Sequence, residues 1–411
     1  MNSRPKVAHI ATIDLTVRVL LIAQLRALRD AGFDVAAISA PGPWTQDLEA
    51  EGIRHIPWPH ATRSWSLGSD IRAFRSLYNI LRRERFDVIH THNPKPGIIG
   101  RIAGRLARTP VVMSTAHGLY ATPEDRLAKR AAVVALEWIA ARCSDLDLYQ
   151  SREDLDWMRR LRVVSTVKSV HLGNGTDLSR FDPALVSADR IGRVRAELGI
   201  APGAVVVGTI GRLVAEKGFR ELFTAWNRVR AEVPRAVLLV VGDHDPAKAD
   251  AMSSEEIESA GDGVIVTGWR DDIPDLLASM DVFVLPSWRE GMPRSAIEAA
   301  AMGRPLVLTD IRGCREVARH GVEGLLVPPR EPDALEDALV TVMSDKAMRD
   351  RMGGAARDRA IELFDEDRVA DIVVARTTEL LAKKIGINRR TPAGSGQTEV
   401  VQRTVHVSGE N

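Results

Sequence analysis

Runs rich in β-branched residues alternate along this chain with amphipathic stretches, and the alternation runs once, breaks at a turn-rich segment, and runs again. A short β-branched run packs well on a pleated surface, and a following stretch of helical period can cover it. The pattern therefore specifies parallel sheets with helices on their faces. In the first run the expected strands are Val7–Thr12, Asp34–Ser39, Val88–Thr91, Val111–Ser114 and Asp147–Gln150. Expected helices over Thr16–Ala31, Ser69–Glu84, Gly97–Ala107 and Ala128–Cys143 separate them. The break is LGNGTDLSRFDP around Gly173–Pro183, a collection of Gly, Asn, Asp and Pro that suits a connection between domains.

In the second run the expected strands are Val205–Ile210, Ala236–Val241, Gly263–Thr267, Val282–Pro286, Pro305–Thr309 and Gly324–Val327. Helices are expected over Gly218–Glu232, Ile273–Ser279, Arg294–Met302, Cys314–His320 and Ala334–Ser344. With 411 residues the chain exceeds the roughly 250–300 at which one hydrophobic core stops growing. The fold class is therefore α/β, with two Rossmann-like domains, 1–180 and 181–365, facing each other across a cleft. A helix over 366–387 is expected to pack back on the first domain, and 388–411, poor in large apolar residues, is expected to be disordered.

Charge and composition narrow the function classes. Residues 1–180 carry 26 Lys and Arg against 18 Asp and Glu, whereas residues 181–411 carry 30 against 37. The basic half suits an anionic partner, or is a set of solvated basic helices. Its first strand leads into TIDLT rather than GxGxxG, which disfavours an NAD(P)-linked oxidoreductase. No Walker-type loop supports phosphoryl transfer, and no basic-plus-aromatic motif supports nucleic-acid binding. Cys143 and Cys314 stand apart from any Cys/His cluster, and neither a signal peptide nor a membrane span is evident, which points to the cytoplasm.

Two segments of the second half carry chemistry. After the apolar run VFVLPS come Glu290-Gly291-Met292-Pro293-Arg294-Ser295 and then Glu298, reading strand, Gly/Pro turn, helix. The first amides of such a helix, at its positive dipole end, suit a phosphate. The two carboxylates bracket that turn, as the hydroxyls of two sugars bracket a diphosphate; the bland alternative is two solvated glutamates beside an ordinary cap. The other segment is Gly211-Arg212-Leu213-Val214-Ala215-Glu216-Lys217-Gly218, with two cations on one strand-to-helix loop. An Arg fork and a Lys point charge can neutralise a departing diphosphate; they would also be unremarkable on a surface.

These motifs, together with THNPKPGIIGRIAGRLARTPVV, STAHGL, LGNGTDLSRFDP and DIRGCREVARHGVEGLLVPP, resemble the retaining glycosyltransferases of family 4, with GT-B fold. The resemblance runs from about Val7 to Leu380 and is closest to enzymes that extend lipid-linked oligosaccharides for exopolysaccharide, capsule or glycoprotein assembly. It implies a nucleotide-sugar donor, a UDP-sugar by expectation, and a polyprenyl-diphosphate-linked glycan acceptor, met by a cytoplasmic enzyme in peripheral contact with the inner membrane face. By the same resemblance Arg212 and Lys217 hold the diphosphate with the backbone of Met292 to Ser295, Glu298 the ribose and Glu290 the transferred sugar. His117 comes from the first domain to the reacting carbon, and Arg270 lies near the base. Lys95, between two prolines, is a candidate for the acceptor phosphate or simply part of a shaped loop. No cofactor or metal is expected, since no DxD motif sits at a strand end and Asp271-Asp272 reads as a polar loop. A glycine-free Thr12-Ile13-Asp14-Leu15-Thr16 replaces the Gly-Gly loop of many relatives. Trp44, Trp58 and Trp65, near Arg63, Arg72 and Arg75, suit either an interfacial patch or core packing. The alternative function is a non-catalytic nucleotide-sugar-binding assembly subunit.

Overall fold

The structure, a computed structural model, describes residues 4–386 apart from 63–64, 93, 122–124, 245–249 and 259. The expected disordered tail and Arg63 lie outside the described residues. Two parallel sheets are present. The first has seven strands, β1 (Lys6–Ile13), β2 (Asp34–Ala40), β3 (Arg54–Pro57), β4 (Val88–His92), β5 (Val111–Ala116), β6 (Leu146–Tyr149) and β7 (Ser169–His171), in the order β3-β2-β1-β4-β5-β6-β7. The second has six, β8 (Val206–Ile210), β9 (Val237–Val241), β10 (Val264–Val266), β11 (Val282–Leu285), β12 (Leu306–Thr309) and β13 (Gly324–Val327), in the order β10-β9-β8-β11-β12-β13. Both orders reverse beside the first strand of the unit, between β1 and β4 and between β8 and β11. That reversal opens a crevice at the carboxyl ends of the strands, where α/β sheets bind ligands.

The central strands are buried on both faces, as their unbroken apolar runs require: Val7, Ala8 and Ile10 in β1, and Val282, Phe283 and Val284 in β11, are fully buried. The edge strands β3 and β7 and five helices, Thr45–Ala50, Arg152–Arg160, Ala188–Glu197, Ser254–Glu258 and Lys346–Leu363, were not among the expected elements. The last of these buries Met352, Gly353, Ala356 and Ala360, mostly small residues. A Cβ on Gly353 would press on the Gly303 carbonyl. Close backbone approach does the packing there, and it leaves no stripe of large apolar residues to read.

The chain crosses between the units twice, and the crossings hold each other. The Thr176 amide donates to the Phe364 carbonyl at 2.9 Å and the Glu366 amide to the Thr176 carbonyl at 3.1 Å. Gly175 fits because a Cβ there would lie 2.6 Å from the Glu366 nitrogen. The helix Glu366–Ile385 then packs Val369, Val373 and Leu381 into one core with Val17, Leu21 and Leu25 of the first unit. On the opposite side, Arg312 pairs with Asp154 at 2.5 Å and Arg315 with Glu153 at 2.9 Å. Glu316 accepts from the Arg152 amide at 2.6 Å, capping the Arg152–Arg160 helix from the other unit.

Candidate functional site

The carboxyl ends of the two sheets open on one cleft of about 560 Å³, walled on the first unit by Thr12, Lys95 and His117 and on the second by Arg212, Glu290 and Glu298. Gly211, Lys217, Gly291, Met292, Pro293, Arg294 and Ser295 line it too. Residues more than 170 positions apart in sequence thus meet in one space, because each follows the carboxyl end of a strand.

The second-unit wall is built by close backbone approach. Gly218 ends the tight turn Ala215–Lys217 with φ +75°, and a Cβ there would lie 2.1 Å from the Pro286 carbonyl oxygen. Only glycine combines that φ with that approach, and the approach carries Lys217 to the turn after β11. Its Nζ lies 2.5 Å from Glu290 Oε1, which also accepts from Ser287 Oγ at 2.7 Å. The helix Arg294–Ala301 follows, and its N-cap, Pro293, supplies no side-chain acceptor, so the first-turn amides face the cleft wall without a cap.

Glu298 sits one turn into that helix. Burial pushes its carboxyl above the ordinary value, against the pull of Arg294, which donates Nε–H to Glu298 Oε1 at 3.1 Å. The same guanidinium donates to the Val19 carbonyl at 2.6 Å and to Glu366 at 2.8 Å. Arg294 therefore spans both units and the second chain crossing, with all three of its bonds made within the protein. Its contribution is to hold Glu298 in place.

On the first unit, His117 follows β5 at the cleft wall, half-buried, with its imidazole pushed down to about 4 by burial. Its Nε2 lies 3.1 Å from Nδ1 of His92, and His92 Nε2 lies 2.9 Å from Nδ1 of His9. Lys95 is buried, donates to Thr62 Oγ1 at 2.7 Å, forms an ion pair with Asp70 and lies under the Trp65 ring. The segment after β1 also lines the cleft, through Thr12, Ile13, Leu15 and Thr16. There the Asp14 carboxylate accepts from the Leu15 and Trp44 amides, each at 2.8 Å, and ties the loop to its neighbour.

Arg270 is not brought to the cleft. Its guanidinium is engaged by Asp272, at 2.6 and 2.8 Å, and by Glu197, at 2.6 Å, while the adjacent Trp269 lines the cleft instead. The three tryptophans do not form one patch. Trp58 is core, donating to the Ala73 carbonyl; Trp44 lies 5.6 Å from Trp269 across the cleft mouth; Trp65 is half-exposed at the cleft edge. Asn174 went unread in the sequence: it lines the cleft and donates to the Met292 carbonyl at 3.0 Å, fixing the anion turn from the first crossing. Its signal was present in LGNGTD, which reads as a linker until the fold shows that the linker borders the cleft. Among the described residues, His9, His90 and His92 form a group of three that could hold a metal ion.

Comparison with known proteins agrees with this geometry. Residues 17–180 match the model of Glycosyltransferase Family 4, and residues 204–345 that of Glycosyl transferases group 1. The chain is 30% identical, over 91% of its own length and 97% of the relative's, to the UDP-Gal:alpha-D-GlcNAc-diphosphoundecaprenol alpha-1,3-galactosyltransferase of Escherichia coli. It is 25% identical, over 84% of its length and 91% of the relative's, to the N,N'-diacetylbacillosaminyl-diphospho-undecaprenol alpha-1,3-N-acetylgalactosaminyltransferase of Campylobacter jejuni. Among solved structures, Anabaena HepE in complex with UDP and glucose superposes with a TM-score of 0.77 at 22% identity, over 92% of this chain and 100% of that one. The glycosyltransferase WaaG superposes with a TM-score of 0.71 at 16% identity, over 90% and 99%. The paired sheets, the cleft between them and these matches together establish that the chain belongs to glycosyltransferase family 4 and has the GT-B fold.

Proposed function

We propose that the protein transfers a hexose or N-acetylhexosamine from a UDP-sugar to the terminal sugar of an undecaprenyl-diphosphate-linked acceptor, with retention at the anomeric carbon. The carrying observation is the convergence on one cleft of two cations, Arg212 and Lys217, an uncapped helix start and two carboxylates, Glu290 and Glu298. A nucleoside diphosphate sugar has that layout, with anionic oxygens between two rings of hydroxyls. In this reading Arg212, Lys217 and the backbone N–H groups of Met292, Arg294 and Ser295 take the diphosphate, Glu298 the ribose and Glu290 a hydroxyl of the transferred sugar.

Negative charge grows on the β-phosphate as the glycosidic C–O bond breaks, and donors already aimed at it lower the barrier without reorganising. His117, from the opposite wall, faces the sugar. The acceptor hydroxyl attacks from the leaving-group side, and its proton passes to the departing phosphate oxygen. The E. coli and C. jejuni relatives, named for diphosphoundecaprenol acceptors, support the acceptor class.

An exposed apolar helix supports it further. The helix Leu127–Ala141 turns Leu127, Leu136, Trp138 and Ile139 to solvent, the first at 78% exposure, with Lys129 and Arg142 at its two ends. Apolar side chains between cations suit an anionic lipid surface, and no described helix is long and apolar enough to cross a membrane. The testing experiment incubates the purified protein with UDP-Gal, UDP-GalNAc, UDP-Glc or UDP-GlcNAc and a diphosphoundecaprenyl N-acetylhexosamine in vesicles. One donor is expected to give an α-linked product; no product from any donor would defeat the proposal.

A further inference from the structure

We infer that His92 and His9 are positioning residues that fix the tautomer of His117, through a chain of three imidazoles running from the core of the first sheet to the cleft wall. The inference rests on the reading of His117 as a group facing the donor. His9 in β1 is the register partner of His90 in β4, and His92, two residues on, points to the same face. His117 follows the neighbouring strand β5, so the rings step toward the carboxyl end of the sheet. The contacts are His9 Nδ1 to His92 Nε2 at 2.9 Å and His92 Nδ1 to His117 Nε2 at 3.1 Å.

A neutral imidazole has one N–H and one bare nitrogen. Each contact needs one of each, so the chain has only two arrangements: all three rings Nδ1–H, or all three Nε2–H. No ring can change alone. The ends decide between the two. His9 Nε2 and His117 Nδ1 are both buried without a bonded partner. The all-Nε2–H state strands an N–H at His9 in the core. The all-Nδ1–H state leaves only a lone pair there and puts the end N–H on His117, a residue that lines the cleft together with Gln150.

Burial keeps all three rings neutral, which the chain requires, because a doubly protonated ring would face a donor with a donor. His90 stands outside the chain: its Nε2 meets Thr115 Oγ1 at 2.7 Å, and its ring packs against His9 and His92. A metal held by His9, His90 and His92 is the competing use of these rings. It would have to take a nitrogen of His92, both of which are already paired, and so break the chain.

The test is a long-range proton–nitrogen correlation spectrum of full-length protein labelled with ¹⁵N-histidine and saturated with UDP. Wild type is expected to show His9, His92 and His117 each as a single neutral Nδ1–H tautomer, unchanged between about pH 6 and 8. In His9→Leu, His92 and His117 should become tautomer mixtures, with kcat down about tenfold and donor KM within about twofold of wild type. In His9→Asn, whose side-chain N–H can stand in for Nδ1–H, both should be retained. Mixed tautomers in wild type, an unchanged His117 spectrum in His9→Leu, equal losses in the Leu and Asn variants, or a stoichiometric metal bound to these nitrogens would each overturn the inference. Should His9→Leu fail to fold, the wild-type spectrum decides alone. Absence of turnover with every donor would defeat the proposed function while leaving the tautomer result to stand or fall by itself.

Discussion

Gly118 and Gly291 meet backbone to backbone across the floor of the cleft: a Cβ on Gly118 would lie 2.7 Å from the Gly291 Cα, and one on Gly291 would lie 1.7 Å from the His117 carbonyl oxygen. The two halves of the site are thus set against each other at a point that admits no side chain. Gly118 also has φ +121°, a region that only glycine adopts readily.

Gly291→Ala should therefore hold the units apart where, in the proposed function, the donor meets His117. Misplacement on the scale of an ångström can cost about 100-fold in rate, and kcat/KM is expected to fall by about that factor. Circular dichroism should remain that of the wild type, while small-angle scattering should show a more open particle. An active, equally compact variant would refute the close-contact reading.

Arg294 joins Glu298 to Glu366 and Val19, so Arg294→Ala should free the carboxylate proposed to bind the ribose and loosen the second crossing together. Donor KM is expected to rise, by the equivalent of about 1.5–3 kcal/mol for lost charged hydrogen bonds, and the melting temperature should drop. Arg294→Lys can restore one of three bonds and should recover little. Steady-state kinetics and calorimetry of the pair check this.

The buried histidines make stability depend on pH. Burial pushes His9 down to about 3, His117 to about 4, and His90 and His92 well below the ordinary value. Folded values below the unfolded one mean that the stabilisation is complete above about pH 6.5 and is lost as pH falls toward the folded values, since only the unfolded chain takes up protons there. Between pH 7.5 and 5.5 each ring should cost about 1.4 kcal/mol. Asp147, which burial lifts to about 6, works the other way, as do Asp154, Glu298 and Glu366, which burial also raises, while His55 and His171 add to the loss. Urea unfolding at the two pH values should show the net loss, and His9→Leu should lessen it by about one ring's share.

Both sheets, and the meeting of the second-unit motifs on one cleft, were legible because their signals are local. β8, β11 and the helix at Arg294 are set by apolar runs and a Gly/Pro turn, and the pairing of Lys217 with Glu290 follows from two motifs that each end a strand. What was not legible depends on distant partners. Arg270 reads like a site residue until Asp272 and Glu197 take its guanidinium. Trp58 reads equally as a surface anchor or as core until Ala73 accepts from it. The histidine chain is invisible in sequence because His9 and His92 become neighbours only through the register of β1 against β4. Gly118 and Gly313 carry no signal beyond being glycines, yet a Cβ on Gly313 would lie 2.6 Å from the Gly291 carbonyl oxygen.

The central claim is that a UDP diphosphate docks where the Arg212–Lys217 loop meets the helix start at Arg294, and titration calorimetry with UDP tests it most directly. Against wild type, the Arg212→Ala/Lys217→Ala variant should bind UDP at least about 100-fold more weakly, a loss of about 2.7 kcal/mol or more, with its fold intact. UDP affinity equal in the two proteins would contradict the claim.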